Sequence, residues 1–394
     1  MAVRLPLFAT ATRGTEPFLA KELESFGCKR IRQDRGGVRF MAALDEILRV
    51  CLHSRIAMRV LYPLGEFEAV GAEGLYEAAL KVEWEEWITT KTTFAVEATL
   101  KDSEHTHTGF VALKIKDAIV DRLRARFGSR PDVDSHDPTV RVVAHLQKTH
   151  LSLSLDLCGE PLFKRGYRIK TTVAPLKETL AAAMLMACNY TGEEPLADPM
   201  CGSGTLVIEG AWMAMKRAPG LKRRFACENW PKFAATARPL LDDLRREAVS
   251  QQRTLPFQLI ARDYNEDALV AVKRNVVAAG LSTAVKIEEA DVLRADAAPG
   301  PGLLISNPPY GERIGEGGQK GMKSFFHSLG SALWKWEGWR MALLAGNPAF
   351  ESAFGHRPNG RTSLWNGPIA CELLTYRGGS AGPRKPSPED GKIL

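Results

Sequence analysis

The chain has 394 residues, 45% hydrophobic and 25% charged, the composition of an ordinary soluble protein with enough length for two or three cores. Lys and Arg outnumber Asp and Glu by 53 to 46, giving a net charge of +7, a mild lean toward a polyanionic partner such as nucleic acid. No apolar stretch is long enough to span a bilayer, and the opening MAVRLPLFATATRGTEPF lacks the apolar core of a signal peptide, so membrane and secreted classes are set aside.

From Met1 to about Gly159 short strands alternate with helices. Strand patterns cover LPLFATAT (5–12), VRFMA (38–42), IAMRVLYPL (56–64), TTFAVEATL (92–100), TVRVVAHLQ (139–147) and THLSLSLDL (149–157), the last two expected as an antiparallel pair. Helical patterns cover 14–26, 44–52, 73–80 and 109–127. This order predicts small α+β units, not one large sheet. The connector EPLFKRGYRIKTTVAP (160–175) sets Lys164, Arg165, Arg168 and Lys170 beside Tyr167. Basic residues interleaved with an aromatic fit a strip along a nucleic-acid backbone, and equally a solvated linker face.

After Pro175 the texture becomes helix, strand, helix, strand. An apolar helix over 176–188 precedes strands at 195–199, 257–263, 284–291, 302–306 and 339–346, a doubly wound α/β sheet. RTSLWNGPIACELLTYR places Asn366-Gly367 between two strand-like runs, a hairpin signal, so a mostly parallel sheet ends in an antiparallel hairpin. Residues 378–394 are too polar and rich in Pro and Gly to pack, and are expected to be disordered. Seven scattered cysteines without a CxxC pair point to reduced thiols in the cytoplasm and leave no zinc site. His105 and His107 read as exposed loop histidines, so no metal is expected.

Ligands of open α/β sheets bind outside the carboxyl ends of the strands. Four loops there stand out. In DPMCGSGTLVIEGA (198–211) Asp198 ends a strand, Gly202 and Gly204 leave room near the backbone, and Thr205 opens a helix. This is neither a dinucleotide G-x-G-x-x-G, since Val207 holds the third glycine position, nor a P-loop, and a ligand-free tight turn is an equal reading. Asp263 ends the next strand, where a carboxylate accepts from ribose hydroxyls; the stretch 216–256, rich in Lys, Arg and Trp, separates it from the glycine loop as an insertion. Asp291 suits either an adenine amino group or a turn. Ser306-Asn307-Pro308-Pro309-Tyr310-Gly311 follows a buried strand; the prolines cannot join a ladder, and Asn-Pro alone reads as a strand-ending turn.

Taken together, Asp198 with Gly202-Ser203-Gly204, then Asp263, Asp291 and Asn307-Pro308-Pro309-Tyr310, resembles the motif series of class I S-adenosylmethionine-dependent methyltransferases, in which Asn/Asp-Pro-Pro-Tyr/Phe marks members that methylate planar nitrogen groups. The wording DPMCGSGTLVIEGA, APGLKRRFACENW, NPPYGERIG and NGPIACELL is similar to the bacterial THUMP-containing guanine-N2 RNA methyltransferases, whose ribosomal members act on 23S rRNA and which share the insertion. The resemblance implies a ferredoxin-like α+β subdomain over 1–65, a THUMP-type RNA-binding domain over 66–160, a basic linker over 161–175 and a Rossmann-like class I methyltransferase domain over 176–377.

It further implies S-adenosylmethionine as cofactor, with Asp263 at the ribose, Asp291 at the adenine, the loop of Cys201, Gly202 and Gly204 at the methionine end, and Asp198 acting through the cofactor's amino group or through water. Asn307 and the Pro308 carbonyl would accept the two hydrogens of the target amine, close to the cofactor, and Tyr310 would stack on the base. The expected partner is RNA, 23S rRNA before tRNA, met through Lys164, Arg165, Tyr167, Arg168 and Lys170, and the protein is expected to be a monomer. Adenine-N6 DNA and glutamine-N5 protein methylation share the tetrapeptide but not the long N-terminal region. A non-catalytic ribosome-assembly factor would not need Asn307 and Asp263 intact, and a nicotinamide dehydrogenase would need the missing third glycine.

Overall fold

The computed structural model describes residues 3–172, 175–311 and 318–377; the tail 378–394, expected to be disordered, lies outside the described residues. In chain order the elements are β1 (Leu5–Thr10), α1 (Glu16–Ser25), β2 (Lys29–Asp34), β3 (Gly37–Ala42), α2 (Leu44–His53), β4 (Arg59–Glu68), α3 (Gly71–Leu80), β5 (Phe94–Lys101), α4 (Thr108–Phe127), β6 (Val140–Gln147), β7 (His150–Asp156), α5 (Glu178–Ala187), β8 (Leu196–Asp198), α6 (Thr205–Ala214), α7 (Ala234–Ser250), β9 (Leu259–Asp263), α8 (Glu266–Ala278), β10 (Val285–Glu289), β11 (Leu303–Ser306), α9 (Gly318–Leu333), β12 (Arg340–Ala345), α10 (Phe350–Phe354), β13 (Gly360–Asn366) and β14 (Ile369–Arg377). No described helix is long and apolar enough to cross a membrane.

They form two compact units: one of the residues up to Ala11 with Leu19–Phe163 and Ala218–Ser250, the other of Thr12–Phe18, Lys164–Arg217 and the residues from Gln251 on. The first is built on a seven-stranded sheet in the order β2-β3-β1-β4-β7-β6-β5, which corrects the expectation that these strands would not join into one large sheet. The reason lies in β4. Its first residues pair antiparallel with β1 (Phe8 with Leu61, Thr10 with Arg59), while the stretch from Leu61, opposite Asp156, to Glu68, opposite His150, pairs with β7. The register shifts between Pro63 and Gly65, where proline has no N–H to give the ladder, and the strand carries on into a second set of partners. Strand β2 was not foreseen, because KRIRQD is almost entirely exposed and shows no apolar alternation.

The same unit takes in the 218–250 insertion. Gly220 N–H donates to Leu52 O at 2.9 Å, Cys227 N–H to Leu157 O at 3.1 Å, and the Trp230 indole to Thr139 O at 3.1 Å. Arg223 reaches the carbonyls of Pro161 and Glu160 at 2.8 and 2.6 Å. Ala237, Leu241, Leu244 and Ala248 recur at helical spacing and are buried, and α7 packs on α2. The segment expected to belong to one continuous 176–377 domain thus lends these residues to the core of the first unit.

The second unit holds a seven-stranded sheet ordered β10-β9-β8-β11-β12-β14-β13, parallel from β10 to β12, with β14 antiparallel to β12 and β13. Its central strands β11 and β12 read as apolar runs because both faces are covered, whereas the edge strands β10 and β13 carry exposed polar residues. Leu303 and Ile305 of β11 join Leu180, Leu206 and Val272 of α5, α6 and α8, whereas Leu304 joins Phe326 and Leu329 of α9. The order of strands reverses between β8 and β11, and this switch point puts the ends of β8, β9 and β11 side by side. In the closing hairpin Asn366 pairs with Ile369, so the two-residue turn is Gly367-Pro368 and not Asn366-Gly367; Gly367 supplies the positive φ of 62°.

Candidate active site

The glycine loop leaves β8 and enters α6. Gly204 has φ of 84°, and a Cβ there would stand 2.6 Å from Val272 Cγ2 of α8, so no other residue fits between these two helices. The loop is fastened by Gly204 N–H to Cys201 O and Cys201 N–H to Arg262 O, both 2.8 Å. Gly202 N–H donates to Asp263 Oδ2 at 2.8 Å, and Asn265 N–H to Asp263 Oδ1 at 3.0 Å. Asp263 therefore both shapes the loop and, with two N–H groups accepted, keeps lone pairs for a further donor. Next to it the Tyr264 ring stands 70% exposed. Asp291 lies two residues beyond β10, held near the Asp263 end by Ala290 N–H donating to Asp263 O at 3.0 Å. Its Oδ1 accepts from Leu293 N–H at 3.0 Å, a turn-forming bond.

Asp198 is buried and accepts from Ser306 Oγ at 2.6 Å and Met200 N–H at 3.2 Å, both neutral donors. Burial pushes its carboxyl up to about 7, with the two hydrogen bonds pulling the other way and the Asp263 charge adding to the rise. Because the folded value is raised above the unfolded one near 3.8, stability conferred by the protonated form fades as pH rises from about 4 to about 7 and is level above that. Asp198→Asn should flatten this part of the profile, an effect on the order of a few kcal/mol across the window. Thermal denaturation of both proteins at several pH values from 5 to 8 checks it; parallel curves would contradict the buried acid.

At the end of β11 the Tyr310 hydroxyl donates to Asn307 Oδ1 at 2.6 Å. That hydroxyl in turn accepts from Asn366 Nδ2 at 3.3 Å, and the Tyr310 ring lies on Gly346, where a Cβ would come within 2.8 Å of its carbons. Asn347 Nδ2 donates to Tyr310 O at 2.8 Å, fixing the backbone of the tetrapeptide to the end of β12. Pro308 is buried and Asn307 and Tyr310 are half-buried. Burial raises the Tyr310 phenol, which keeps it a donor and not a base. Ser306 and Asn347 were not singled out from the sequence, although both stand at strand carboxyl ends, the place that signals ligand contact. Among the described residues no group of three or more His, Cys, Asp and Glu is arranged to hold a metal ion.

The connector behaves otherwise than a strip for nucleic acid. Arg165 and Tyr167 are 5% and 1% exposed. Arg165 Nε lies 3.6 Å from Glu209 Oε1, the Tyr167 hydroxyl donates to the same carboxylate at 3.2 Å, and the Tyr167 ring meets Trp212 edge-on. Arg168 donates to Glu178 Oε1 at 2.8 Å, to Ser203 Oγ and Thr205 Oγ1 at 3.0 Å, and to Leu176 O at 2.9 Å. These three side chains turn inward because two buried carboxylates, Glu209 and Glu178, need them there. Lys164 remains exposed, and Lys170 Nζ lies 3.3 Å from Asp267 Oδ1.

The chain matches the model of an RMKL-like methyltransferase domain over residues 165–375, a THUMP domain over 71–156 and an RlmL ferredoxin-like domain over 6–61. It is 40% identical over 387 residues to "Ribosomal RNA large subunit methyltransferase K/L" of Syntrophotalea carbinolica, covering 95% of this chain and 54% of that protein. The chain thus spans about half the length of the K/L relatives it matches. It is 34% identical over 378 residues to "Putative RNA methyltransferase slr0064" of Synechocystis sp., with 95% and 97% covered. The crystal structure of SMU.472, described as "a putative methyltransferase complexed with SAH", superposes with a TM-score of 0.85 at 30% identity, over 97% of this chain and all of that one. The chain belongs to the RMKL-like methyltransferase family.

Proposed function

We propose that this chain transfers a methyl group from S-adenosylmethionine to the exocyclic N2 amine of a guanosine in RNA, with 23S rRNA as the substrate. The observation that carries the reading is the pairing, across the β8–β11 switch point, of a carboxylate-held glycine loop with an asparagine oxygen held by a tyrosine hydroxyl. The names of the K/L relatives and the THUMP match support RNA of the large ribosomal subunit.

The residues present fit the cofactor. Asp263 offers its remaining lone pairs to ribose hydroxyls, and Asp291 and Tyr264 border the place for the adenine. Asp198, a buried carboxyl satisfied by neutral donors, suits an ammonium group. When bound, S-adenosylmethionine supplies an electrophilic methyl group. The protein's part is to make the amine a nucleophile. An aromatic amine is poor because its lone pair is delocalised into the ring, and acceptors on its two hydrogens favour an out-of-plane lone pair. Asn307 Oδ1 has one lone pair taken by Tyr310 and one to offer, and the Pro308 carbonyl is the second acceptor. The proton leaves after methylation, when the amine is acidic, so no strong base is required.

Asp263→Ala should weaken S-adenosylmethionine binding by about 1.5–3 kcal/mol, since both a ribose contact and the Gly202 anchor are lost. Calorimetric titration of the folded variant measures it, and unchanged affinity would move the ribose contact elsewhere. The reaction class is tested by methyl transfer from labelled cofactor to rRNA, tRNA, DNA and protein in parallel. RNA binding should fall with salt, each phosphate contact contributing about −0.7 to −0.9 to the log–log slope.

A further inference from the structure

Behind the glycine loop runs a second layer of bonds that the chemistry above does not use. The carboxamide of Asn275, on α8, is fully buried. Its Oδ1 accepts from Ile169 N–H at 2.8 Å and Lys170 N–H at 3.1 Å, while its Nδ2 donates to Lys170 O and Ser203 O, both at 2.9 Å. One amide thereby ties the connector to the middle of the glycine loop. Arg168 ties the same two segments again: its guanidinium holds Ser203 Oγ and Thr205 Oγ1 on the loop side and Leu176 O and Glu178 Oε1 at the start of α5. A Cβ on Gly202 would have the Thr172 hydroxyl 3.8 Å away, so the connector reaches the loop's outer face as well.

We infer that the segment from Arg168 to Thr172 is a wall of the cofactor site, and that Arg168 and Asn275 are positioning residues that set the affinity for S-adenosylmethionine by holding Ser203 and Thr205 in place. Rigid bonds on both sides of Ser203 keep Gly202 N–H aimed at Asp263, so the loop is shaped before the cofactor arrives. A role in filling the core alone would predict lost stability with unchanged cofactor affinity. Positioning predicts a higher KM for the cofactor with kcat retained at saturation, because neither residue touches the target amine. The inference rests on the cofactor reading proposed above.

The test is calorimetric titration of SAH into the full chain and its Arg168→Lys, Asn275→Asp and Arg217→Lys variants, with single-turnover methyl transfer at saturating cofactor. Lysine cannot span the four acceptors of Arg168, and an aspartate at 275 faces the carbonyls of Lys170 and Ser203 with a negative charge. Both should bind SAH about tenfold or more weakly while transferring methyl within about threefold of wild type. Arg217, which donates to Ala279 O at 2.7 Å and covers the Trp212 ring, braces the far ends of α6 and α8 and serves as the control for general loosening: its variant should melt earlier with SAH affinity unchanged. Arg168→Lys or Asn275→Asp binding SAH as tightly as wild type would overturn the inference, and so would an equal loss in Arg217→Lys. If wild type itself binds no SAH, the cofactor reading falls and the inference with it.

Discussion

Asn307→Ala should slow methyl transfer by about 10²–10³ at saturating RNA and cofactor, the usual loss when one preorganised polar contact to the reacting group is removed. The geometry explains why the fall belongs in kcat. Asn307 Oδ1 is held by the Tyr310 hydroxyl at 2.6 Å, and Tyr310 is itself held by Asn366 and by its fit on Gly346. The acceptor is therefore already oriented, and on the proposed role little reorganisation would precede its bond to the amine. Cofactor affinity should hardly change, because the cofactor contacts proposed for Asp263 and Asp198 come from the other loops. Tyr310→Phe keeps the ring but frees Asn307 to rotate, so it should cost about tenfold, less than loss of the acceptor itself. Single-turnover measurements separate these effects from binding. An Asn307→Ala protein within about threefold of wild type would return the tetrapeptide to a strand-ending turn.

Trp230→Ala should destabilise the protein by about 3–5 kcal/mol, the range for truncating a large buried aromatic. Trp230 is fully buried, its indole nitrogen donates to Thr139 O, and its ring meets Trp87 edge-on and Phe233 in a stack. The cavity would open beneath β6, in a unit to which the insertion contributes the lid of the core. Lys232, two residues on, lies over Trp87 and pairs with Glu86 on the surface, and Lys232→Ala should cost less than about 1 kcal/mol. Urea unfolding followed by tryptophan fluorescence and by far-ultraviolet dichroism compares the two. Similar small losses in both would mean that the insertion is not part of this core. A fragment beginning near Thr172 keeps 218–250 but loses the strands and helix it packs on, so it should expose apolar surface and aggregate.

What could be read from the sequence was what is local. Asp198, the glycine loop, Asp263 and the Asn307 tetrapeptide each sit at the end of an apolar run, and a strand's end is marked by the run itself. The second sheet was legible for the same reason, down to its closing hairpin, with the turn displaced by one residue because Asn366 still pairs with Ile369. Side-chain direction in the connector was not legible. Arg165, Tyr167 and Arg168 look like an exposed basic strip until Glu209 and Glu178, 44 and 10 positions downstream of Arg165 and Arg168 respectively, are seen beside them in space. Nor was the joining of the N-terminal strands into one sheet, since β4 shows one pattern while serving two sets of partners across a register shift. The home of the insertion is a matter of contacts between Trp230 and Thr139 or Gly220 and Leu52, far apart in the chain.

The central claim, transfer to guanine N2 in RNA, is met most directly by nucleoside mass spectrometry. Purified full-length protein is incubated with methyl-labelled S-adenosylmethionine and unmethylated 23S rRNA transcript, and the RNA is digested to nucleosides. The account predicts label in N2-methylguanosine, and its loss with Asn307→Ala. Label in another nucleoside, or RNA left unlabelled while DNA or protein is methylated, would contradict it.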